Sequence, residues 1–327
     1  MEIIKIINKG MLSTIQDLGR VGYKQYGVPQ SGAMDSYALR VANILVDNDE
    51  NTPVIEVTYG AFKCSFLHDA IISVTGGNIG GFLNNKFIAM WQTLKVEKGD
   101  VLEFRGGEHF RGYIAINKGI ECEKILGSYS TYERAGFNKP IEDNQIIKGE
   151  LSNLDGAKIA SISEIPKYDN IIRFVKGPHN SFFSDEHLDE LCFSEYTVTS
   201  ASDRMGVRLE GKKIKTSSKD LLSCPLPIGA IQVPPSGQPI VIMADGQVTG
   251  GYPIIGCVIS TDISKLAQQK PGNNLMFKEV SVEEAHNIKR EQEELVDKLK
   301  ARDFREYRQR NFNVKVKGKE YFVQVYE

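Results

Sequence analysis

The stretch GAIQVPPSGQPIVIMADGQVTGGYP, residues 229–253, indicates the fold class of this 327-residue chain. Within it the apolar run 240–244 predicts a short buried strand, because Pro and Gly turn residues stand close to both of its ends. Similar runs recur at 70–75, 87–96 and 171–175. Many short strands separated by frequent turns are typical of barrels and sandwiches. The sequence therefore predicts a mainly β protein.

Turn residues support this prediction. The chain contains 30 glycines and 12 prolines. The pairs Asn84-Asn85, Lys98-Gly99 and Lys317-Gly318 predict hairpin turns, which need tight or left-handed backbone conformations.

Two helices are predicted against this β background. The first spans residues 34–46 and is expected to plug the end of a barrel. The second spans about 282–300, where Ser281 and Glu284 have capping-box spacing. Its apolar stripe predicts a docking surface for another chain and comprises Ala285, Ile288, Gln292, Leu295 and Leu299.

The chain has more residues than one hydrophobic core usually accommodates, so two packed domains are expected. The pattern loosens into small and polar residues over 149–170, before a new strand begins. We predict an N-terminal β domain over 1–165, a second β domain over 166–285 and a helix-and-hairpin extension over 286–327.

Composition narrows the class of protein. Apolar residues make up 41% of the chain, and 40 Lys and Arg against 42 Asp and Glu give a net charge of −2. Without a basic block, nucleic acid is not expected as a partner. The sequence shows no signal-peptide pattern and no apolar stretch of the roughly 20 residues needed to cross a bilayer, so a membrane is not expected as a partner. Five scattered cysteines suit a reducing compartment, so we expect a cytoplasmic protein.

Several common site motifs are absent from the sequence. The glycine-rich segment 76–81 does not have dinucleotide-binding spacing and predicts a turn, and no Walker A motif is present. The five histidines lack metal-ligand spacing, so no metal site is expected. No nucleophile elbow of the form GxSxG occurs.

Three polar, glycine-rich stretches remain as candidate sites. In the first, residues 14–35, glycines surround five side chains expected to bind substrate: Gln16, Asp17, Arg20, Ser31 and Asp35. The alternative is architectural, with an Asp17 to Arg20 ion pair and Asp35 as a helix cap.

The second stretch, 202–211, offers the guanidinium groups of Arg204 and Arg208. Their planar forks suit a carboxylate, phosphate or ureido oxygen. Pairing with Asp203 and Glu210 is the alternative.

The third stretch is residues 229–253, where a buried strand ends at Asp245. The side chains expected to be catalytic are Asp245, Gln247 and Tyr252. The residues expected to bind substrate are Gln232, Thr249, Gly250 and Gly251.

These stretches also carry a family resemblance. TIQDLGRVGYKQYGVPQSGAMD at 14–35 resembles the N-terminal motif of the allophanate hydrolase subunit 2, or biotin-dependent carboxyltransferase, family. The later blocks of that family are matched by LGSYSTY at 126–132, SDRMGVRLEG at 202–211, the stretch 229–253 and LAQQKPG at 266–272. The resemblance implies two tandem cyclophilin-like β-barrel domains.

Residues 312–325 alternate as a hairpin and resemble the opening strands of a biotinyl carrier domain. The acceptor sequence Met-Lys-Met is absent, so no covalent biotin is expected on this chain. A simple edge hairpin that closes a barrel is the alternative, and the one we expect.

The resemblance implies three functions. The first is the C subunit of an ATP-dependent 5-oxoprolinase, acting with A and B subunit homologues, with ATP bound by another subunit. There Arg204 or Arg208 would hold the substrate carboxylate, Asp245 would position a proton or water, and Gln247 and Tyr252 would orient the ring amide. The second is a biotin-dependent carboxyltransferase for an amide-type or urea-like acceptor. The third is a non-catalytic antagonist of a kinase-inhibitor protein that resembles the B subunit.

Overall fold

The computed structural model describes residues 1–150, 162, 165–216 and 221–301, together with the strands 309–316 and 319–326. Strands dominate it, so the predicted mainly β class is confirmed. The strands of the first half are β1 Glu2–Lys9, β2 Leu12–Gln16, β3 Val54–Thr58, β4 Phe62–Phe66, β5 Ala70–Gly76, β6 Gly81–Leu83, β7 Lys86–Ile88, β8 Gln92–Val96, β9 Val101–Phe104, β10 Arg111–Ile116 and β11 Ile146–Lys148.

The strands of the second half are β12 Ile171–Lys176, β13 Glu195–Val198, β14 Gly206–Gly211, β15 Cys224–Pro225, β16 Ala230–Gln232, β17 Ile240–Ile242, β18 Thr249–Gly250, β19 Ile254–Val258 and β20 Asn274–Glu279. The α-helices in the described part are α1 Ser36–Leu45, α2 Asp185–Phe193, α3 Ile263–Ala267 and α4 Val282–Lys300. The C-terminal strands are β21 Gln309–Val316 and β22 Lys319–Tyr326.

The first half consists of two antiparallel sheets that share a core. One has the strand order β11-β1-β4-β9-β6-β7 and the other β2-β3-β10-β5-β8. Buried side chains from both sheets form one cluster, including Ile4, Phe62, Ile72 and Ile114. Since side chains alternate along a strand, the opposite face of the five-stranded sheet is left for other contacts.

Helix α1 covers part of that opposite face. Asp35 caps it by accepting a hydrogen bond from the backbone of Ala38. The hydroxyls of Ser73 and Thr75 on β5 donate to the helix carbonyls of Ala42 and Ala38, at 2.6 and 2.7 Å. The prediction that this helix plugs a barrel end is therefore wrong, because its partner is the face of a sheet.

The second half closes into a barrel with the order β12-β19-β16-β17-β14-β13-β20. Only the β12–β20 pair is parallel among the barrel contacts. Aromatic side chains fill the interior, with Phe277 edge-on to Phe174 at a centroid distance of 6.0 Å and to Tyr196 at 5.9 Å.

Loop residues of the two halves contact each other. Met34, from the first half, is 2% exposed and belongs to the core of the barrel. The backbone N–H of Ser31 donates to the carbonyl of Ala244 at 2.9 Å. On the other side of the interface, Lys270 Nζ donates to the carbonyl of Gly107 at 2.8 Å.

Local details correct two strand and turn predictions. The Asn84-Asn85 turn is confirmed, with φ of 50° and 63° between β6 and β7. The single strand predicted over 87–96 is interrupted by Trp91, whose φ is +66°. Lys98-Gly99 turns between strands of different sheets, so it does not form a hairpin.

The C-terminal helix packs within the chain. Val296 of α4 is fully buried and Leu299 packs beside it in the cluster around α1. The other predicted stripe residues Ile288, Gln292 and Leu295 line a groove of about 380 Å³ against residues 165–168 and α3. Leu299 of the predicted stripe thus contacts this chain, while Ala285 and the residues of the groove stay partly exposed, and docking of another chain on the stripe stays a prediction.

Strands β21 and β22 pair with each other as a hairpin and do not belong to the barrel. The expectation that they close a barrel is therefore wrong, and the predicted Lys317-Gly318 turn lies outside the described residues. The domain boundary predicted at 165 falls between β11 and β12, and the one at 285 falls inside α4. Across the described ranges, no helix has the length and apolarity needed to cross a bilayer.

Candidate functional site between the two halves

A row of polar side chains crosses the five-stranded sheet on the face that meets the barrel. In the strand register Thr14 stands opposite Glu56, Glu56 opposite Tyr113, and Tyr113 opposite Thr75. Each of these residues is at most 3% exposed. Buried polar groups require partners, and here the partners come from α1 and from the second half.

Glu56 is the centre of this row. Its carboxylate accepts hydrogen bonds from the backbone of Met34 and the hydroxyl of Tyr113, both at 2.8 Å. It also accepts from Nη1 of Arg204 at 2.5 Å. The sequence analysis missed Glu56, although a lone carboxylate inside the β-branched run VIEVT was a usable signal.

Arg204 joins Glu56 to Asp245. Its Nε and Nη2 donate to the two carboxylate oxygens of Asp245 at 2.8 and 3.2 Å, and Nη2 also donates to the carbonyl of Gly32 at 2.6 Å. Burial opposes the charge of Arg204, but Asp245 and Glu56 outweigh burial and raise its pKa. The structure thus brings together Arg204 and Asp245, which were predicted from separate stretches. The guanidinium of Arg204 is engaged by groups of the protein itself.

Asp35 forms a second buried node. Its carboxylate accepts from Tyr168 Oη at 2.8 Å and from Gln268 Nε2 at 3.0 Å, and it also caps α1. Burial raises the pKa of Asp35, against the effect of these hydrogen bonds. The side-chain oxygen Oε1 of Gln268 accepts from the backbone N–H of Arg111 at 2.9 Å. The block LAQQKPG at 266–272 therefore lies at the interface between the two halves.

Asp17 organises the loop between β2 and α1. Its carboxylate accepts from the backbone of Gly19 and Tyr129 at 2.8 Å each, and from the hydroxyls of Ser128 and Ser130. A side chain on Gly32 would lie 2.9 Å from the backbone of Gly19, which explains the small residue there. Asp17 therefore has an architectural environment.

Arg20 lies beside this hub and has few partners. It is 1% exposed, its Nη2 donates to the carbonyl of Ser130 at 2.6 Å, and its guanidinium lies 5.1 Å from the ring centroid of Phe137. Its Nε and Nη1 have no hydrogen-bond partner in the described part of the chain. Burial lowers the pKa of Arg20, while Asp17, Asp245 and Tyr132 act in the opposite direction.

A cavity of about 150 Å³ opens where the halves meet near these residues. The first half contributes Thr14 and residues 131–134, and the second half contributes residues 203–205 and Asp245. Thr131 Oγ1 and, on the neighbouring Gln16, Oε1 are buried and have no partner among the described residues. The cavity is a candidate site because charged and polar side chains from both halves converge on a small volume.

The remaining predicted site residues lie elsewhere. Arg208, Gln232, Gln247 and Tyr252 line a separate outer groove of about 750 Å³ on the barrel. Three further residues predicted to bind substrate lie beside this groove, on β18 and directly after it: Thr249, Gly250 and Gly251. Gly250 packs near Gln232 and Gln247. The three side chains predicted as catalytic are therefore divided, with Asp245 in the interface and the other two in the groove.

Possible metal-ligand side chains were compared across the part of the chain that the structure describes. There, no group of three or more His, Cys, Asp or Glu side chains is arranged to hold a metal ion.

Comparison with known proteins places this architecture. Residues 26–279 match the family described as the carboxyltransferase domain, subdomain A and B. The 5-oxoprolinase C subunit of Escherichia coli is 35% identical over 303 residues, which cover 91% of this chain and 97% of the relative. The protein of the same name from Haemophilus influenzae is 35% identical and covers 91% of this chain and 98% of the relative.

Larger proteins contain a related segment. The urea amidolyase of Saccharomyces cerevisiae is 31% identical over 90% of this chain but only 18% of its own length. The crystal structure of the Kluyveromyces lactis urea amidolyase superposes with a TM-score of 0.82 at 28% identity, over 91% of this chain and 20% of that one. The family match covers most of both halves, and the chain belongs to the carboxyltransferase domain family, subdomain A and B.

Proposed function

We propose that this chain is the C subunit of an ATP-dependent 5-oxoprolinase, which converts 5-oxo-L-proline to L-glutamate together with A and B subunits. The observation that carries the proposal is the match to the 5-oxoprolinase C subunit of Escherichia coli, which extends over 91% of this chain and 97% of the relative. A match over nearly the full length of both chains supports the same position in the same kind of assembly.

The chemistry explains why ATP is needed. A lactam is stabilised by amide resonance, so its carbonyl oxygen first accepts the terminal phosphoryl group of ATP. ADP leaves, water attacks the activated carbon, and the ring C–N bond breaks while the nitrogen takes a proton, which gives an acyl phosphate. A second water hydrolyses this acyl phosphate to the carboxylate of glutamate and free phosphate. Since this chain has no Walker A motif, we assign ATP binding to another subunit.

In this proposal the interface cavity is where the chain meets the substrate. Asp245 lines the cavity, and Arg204 holds both of its carboxylate oxygens. A carboxylate fixed in this way orients a water molecule or a proton at the reacting carbon. Arg204 is then a positioning residue, because its own donors are engaged by Asp245, Glu56 and Gly32.

The outer groove supports a second contact. Tyr252 is 42% exposed there, and Gln247 is also exposed. Their predicted role in orienting the ring amide would require the substrate, or a partner protein, to reach the groove. Their catalytic role stays a prediction.

Reconstitution tests the proposal. Glutamate release from 5-oxo-L-proline and ATP is measured after mixing this chain with purified A and B homologues, and again with each component omitted. We expect glutamate only in the complete mixture. Equal glutamate release without this chain would rule out the proposed role.

A biotin-dependent carboxyltransferase acting on an amide-type acceptor is the second candidate. It is favoured by the family match and by the TM-score of 0.82 to the Kluyveromyces lactis urea carboxylase at 28% identity, which covers 91% of this chain and 29% of that structure. This function would need a biotinylated carrier on another polypeptide, because the Met-Lys-Met acceptor is absent. Product formation that avidin blocks would favour this candidate over the first.

A further inference from the structure

Two grooves on the outside of the barrel adjoin each other. The outer groove of about 750 Å³ shares Pro234, Pro235 and Tyr252 with a neighbouring groove of about 810 Å³. The shared Tyr252 is 42% exposed, and Leu222, which lines the neighbouring groove, is 91% exposed. Large apolar side chains that are exposed beside a groove are typical of surfaces that bind another molecule. We call the two grooves together the double groove.

A row of side chains across three neighbouring strands forms the floor of the outer groove. Arg208 on β14 stands opposite Ile240 on β17, and Ile240 stands opposite Gln232 on β16. Residues that stand opposite each other point to the same face of a sheet, and all three line the groove. The floor therefore has a cation at one end, an apolar side chain at the centre and an amide at the other end.

The double groove has an excess of positive charge. Among its described lining residues the cations are Arg208, Lys213 and Lys215, and the carboxylate is Glu210. In the part of the chain that the structure describes, none of these cations forms an ion pair, whereas the adjacent Lys212 has a carboxylate partner at 3.2 Å. The double groove is thus positive on a chain whose net charge is −2. An acidic ligand is its electrostatic complement.

The polar groups and the size of the double groove favour a peptide as this ligand. The side-chain amides of Gln232 and Gln247 each offer a donor and an acceptor, which match the two groups of a backbone peptide unit. Sites for small molecules measure about 300–1,000 Å³, and two adjoining grooves of about 750 and 810 Å³ exceed what one such ligand fills. An extended peptide can lie along both grooves through its backbone and its alternate side chains.

We propose that the double groove binds an extended acidic peptide, which is a segment of another protein. The carboxylates of the peptide lie beside Arg208, Lys213 and Lys215. Its apolar side chains pack against Ile240 and Leu222. The inference goes beyond the proposed function and does not rest on it, since no lactam, ATP or partner subunit enters its test.

Fluorescence anisotropy of the full chain tests the proposal with two fluorescein-labelled octapeptides, one of alternating Glu and Leu and one of alternating Lys and Leu. We expect the Glu-Leu peptide to bind at least about 10-fold more tightly. Non-specific attraction would favour the Lys-Leu peptide, because the net charge of the chain is −2. Equal or tighter binding of the Lys-Leu peptide would overturn the inference, and so would tighter binding of a labelled oligothymidylate of the same length.

The variant Arg208→Glu locates the charged contact. It should weaken binding of the Glu-Leu peptide about 5- to 20-fold, because an attraction becomes a repulsion. The matched control is Lys278→Glu, which makes the same change in net charge at an exposed position of β20 that does not line either groove. The control should retain wild-type affinity. Equal losses in the two variants would contradict the assignment, since they would show an effect of net charge alone.

The variant Leu222→Ser tests the apolar contact. Because Leu222 is 91% exposed, this change should leave the fold intact, so the test stays decisive if Arg208→Glu does not fold. We expect affinity for the Glu-Leu peptide to fall about 3- to 10-fold, since the peptide loses an apolar surface on which to pack. Phe193→Ser, at a side chain of α2 that is 80% exposed, is the control and should bind as wild type does. Wild-type affinity in Leu222→Ser would overturn the inference.

Discussion

The buried cluster of Arg204, Asp245 and Glu56 concentrates charge at the interface between the two halves. The pairs are short, with Nη1 of Arg204 2.5 Å from Glu56 Oε1 and Nε 2.8 Å from Asp245 Oδ2. Removing one member of a buried ion pair costs about 3–5 kcal/mol, because the other charge loses its compensation. Charge and position of each member can therefore be tested by isosteric variants.

The change Asp245→Asn tests the role of the carboxylate in turnover. We expect glutamate release by the assembled subunits to fall at least about 100-fold, since the general-base contribution is of that order. Assembly, followed by size-exclusion chromatography, should persist because the side-chain volume hardly changes. Full activity in this variant would remove Asp245 from the reaction.

The change Glu56→Gln tests the centre of the cluster. We expect the free energy of unfolding, measured by urea denaturation, to fall by about 3–5 kcal/mol. The control is Glu103→Gln, whose carboxylate pairs with Arg105 near the surface and whose loss should cost less than about 1 kcal/mol. Equal losses in the two variants would show that burial of Glu56 has no special energetic consequence.

Asp35 gives the interface a dependence on pH. Burial raises its pKa above the ordinary value of 3.8. The folded state then keeps the proton to higher pH than the unfolded state, so this contribution to stability is full below 3.8 and is lost as pH rises through the raised pKa. In urea denaturation at a series of pH values, wild type should lose more stability than Asp35→Asn as pH rises above 3.8, and parallel curves would contradict this.

At the residue scale, the members of the site that stand in glycine-rich loops could be predicted from the sequence. Arg204 and Asp245 could be predicted because the loop segments that contain them consist mainly of polar residues and glycine. Glu56, Tyr113 and Arg111 were missed because each lies in an apolar strand that resembles ordinary core. Their polar neighbours come from distant parts of the chain, such as Arg204 at a separation of 148 residues, and no local pattern reports such pairings.

At the scale of elements, α4 is attached to α1 by both apolar and charged contacts. Arg40 on α1 donates to both carboxylate oxygens of Glu293 on α4, at 2.8 and 2.6 Å. The hydrogen bond with Arg40 lowers the pKa of Glu293 to about 2. Because the folded pKa is depressed, this contact stabilises α4 above pH 4.5 and is lost as pH falls toward about 2.

Hydrogen exchange of the α4 amides, corrected for the intrinsic rate, measures this attachment. Glu293→Gln should reduce the protection of the α4 amides at neutral pH, since the ion pair is gone. On acidification this variant should lose less protection than wild type. Glu294→Gln, an exposed neighbour on the same helix, serves as the control and should match wild type. Identical protection in wild type and Glu293→Gln would show that apolar packing around Val296 alone holds the helix.

Prediction of the elements succeeded where local chemistry sets the backbone. Asn84-Asn85 gives a hairpin because both residues tolerate positive φ. It failed at Trp91, which adopts φ of +66° inside an apparent strand, because tertiary packing overrides local preference there. The stripe on α4 was visible in the sequence, but whether it faces this chain or another was not encoded in its period.

In the whole molecule, the candidate site exists because side chains of each β unit contact the other unit across their interface. Met34 inserts into the barrel core, while Arg204 reaches the first half to bind Glu56. The sequence predicted two β units and the blocks that carry the site. Their juxtaposition was not predictable, because it depends on contacts between residues more than a hundred positions apart, as between Glu56 and Arg204.

The proposed role in 5-oxoproline hydrolysis is best tested by the ratio of glutamate to phosphate released when the complete set of subunits is given 5-oxo-L-proline and ATP. We expect the two products to appear together in proportion and only when this chain is present, with avidin having no effect. Phosphate release that is independent of this chain, or product formation that avidin blocks, would contradict the proposed role.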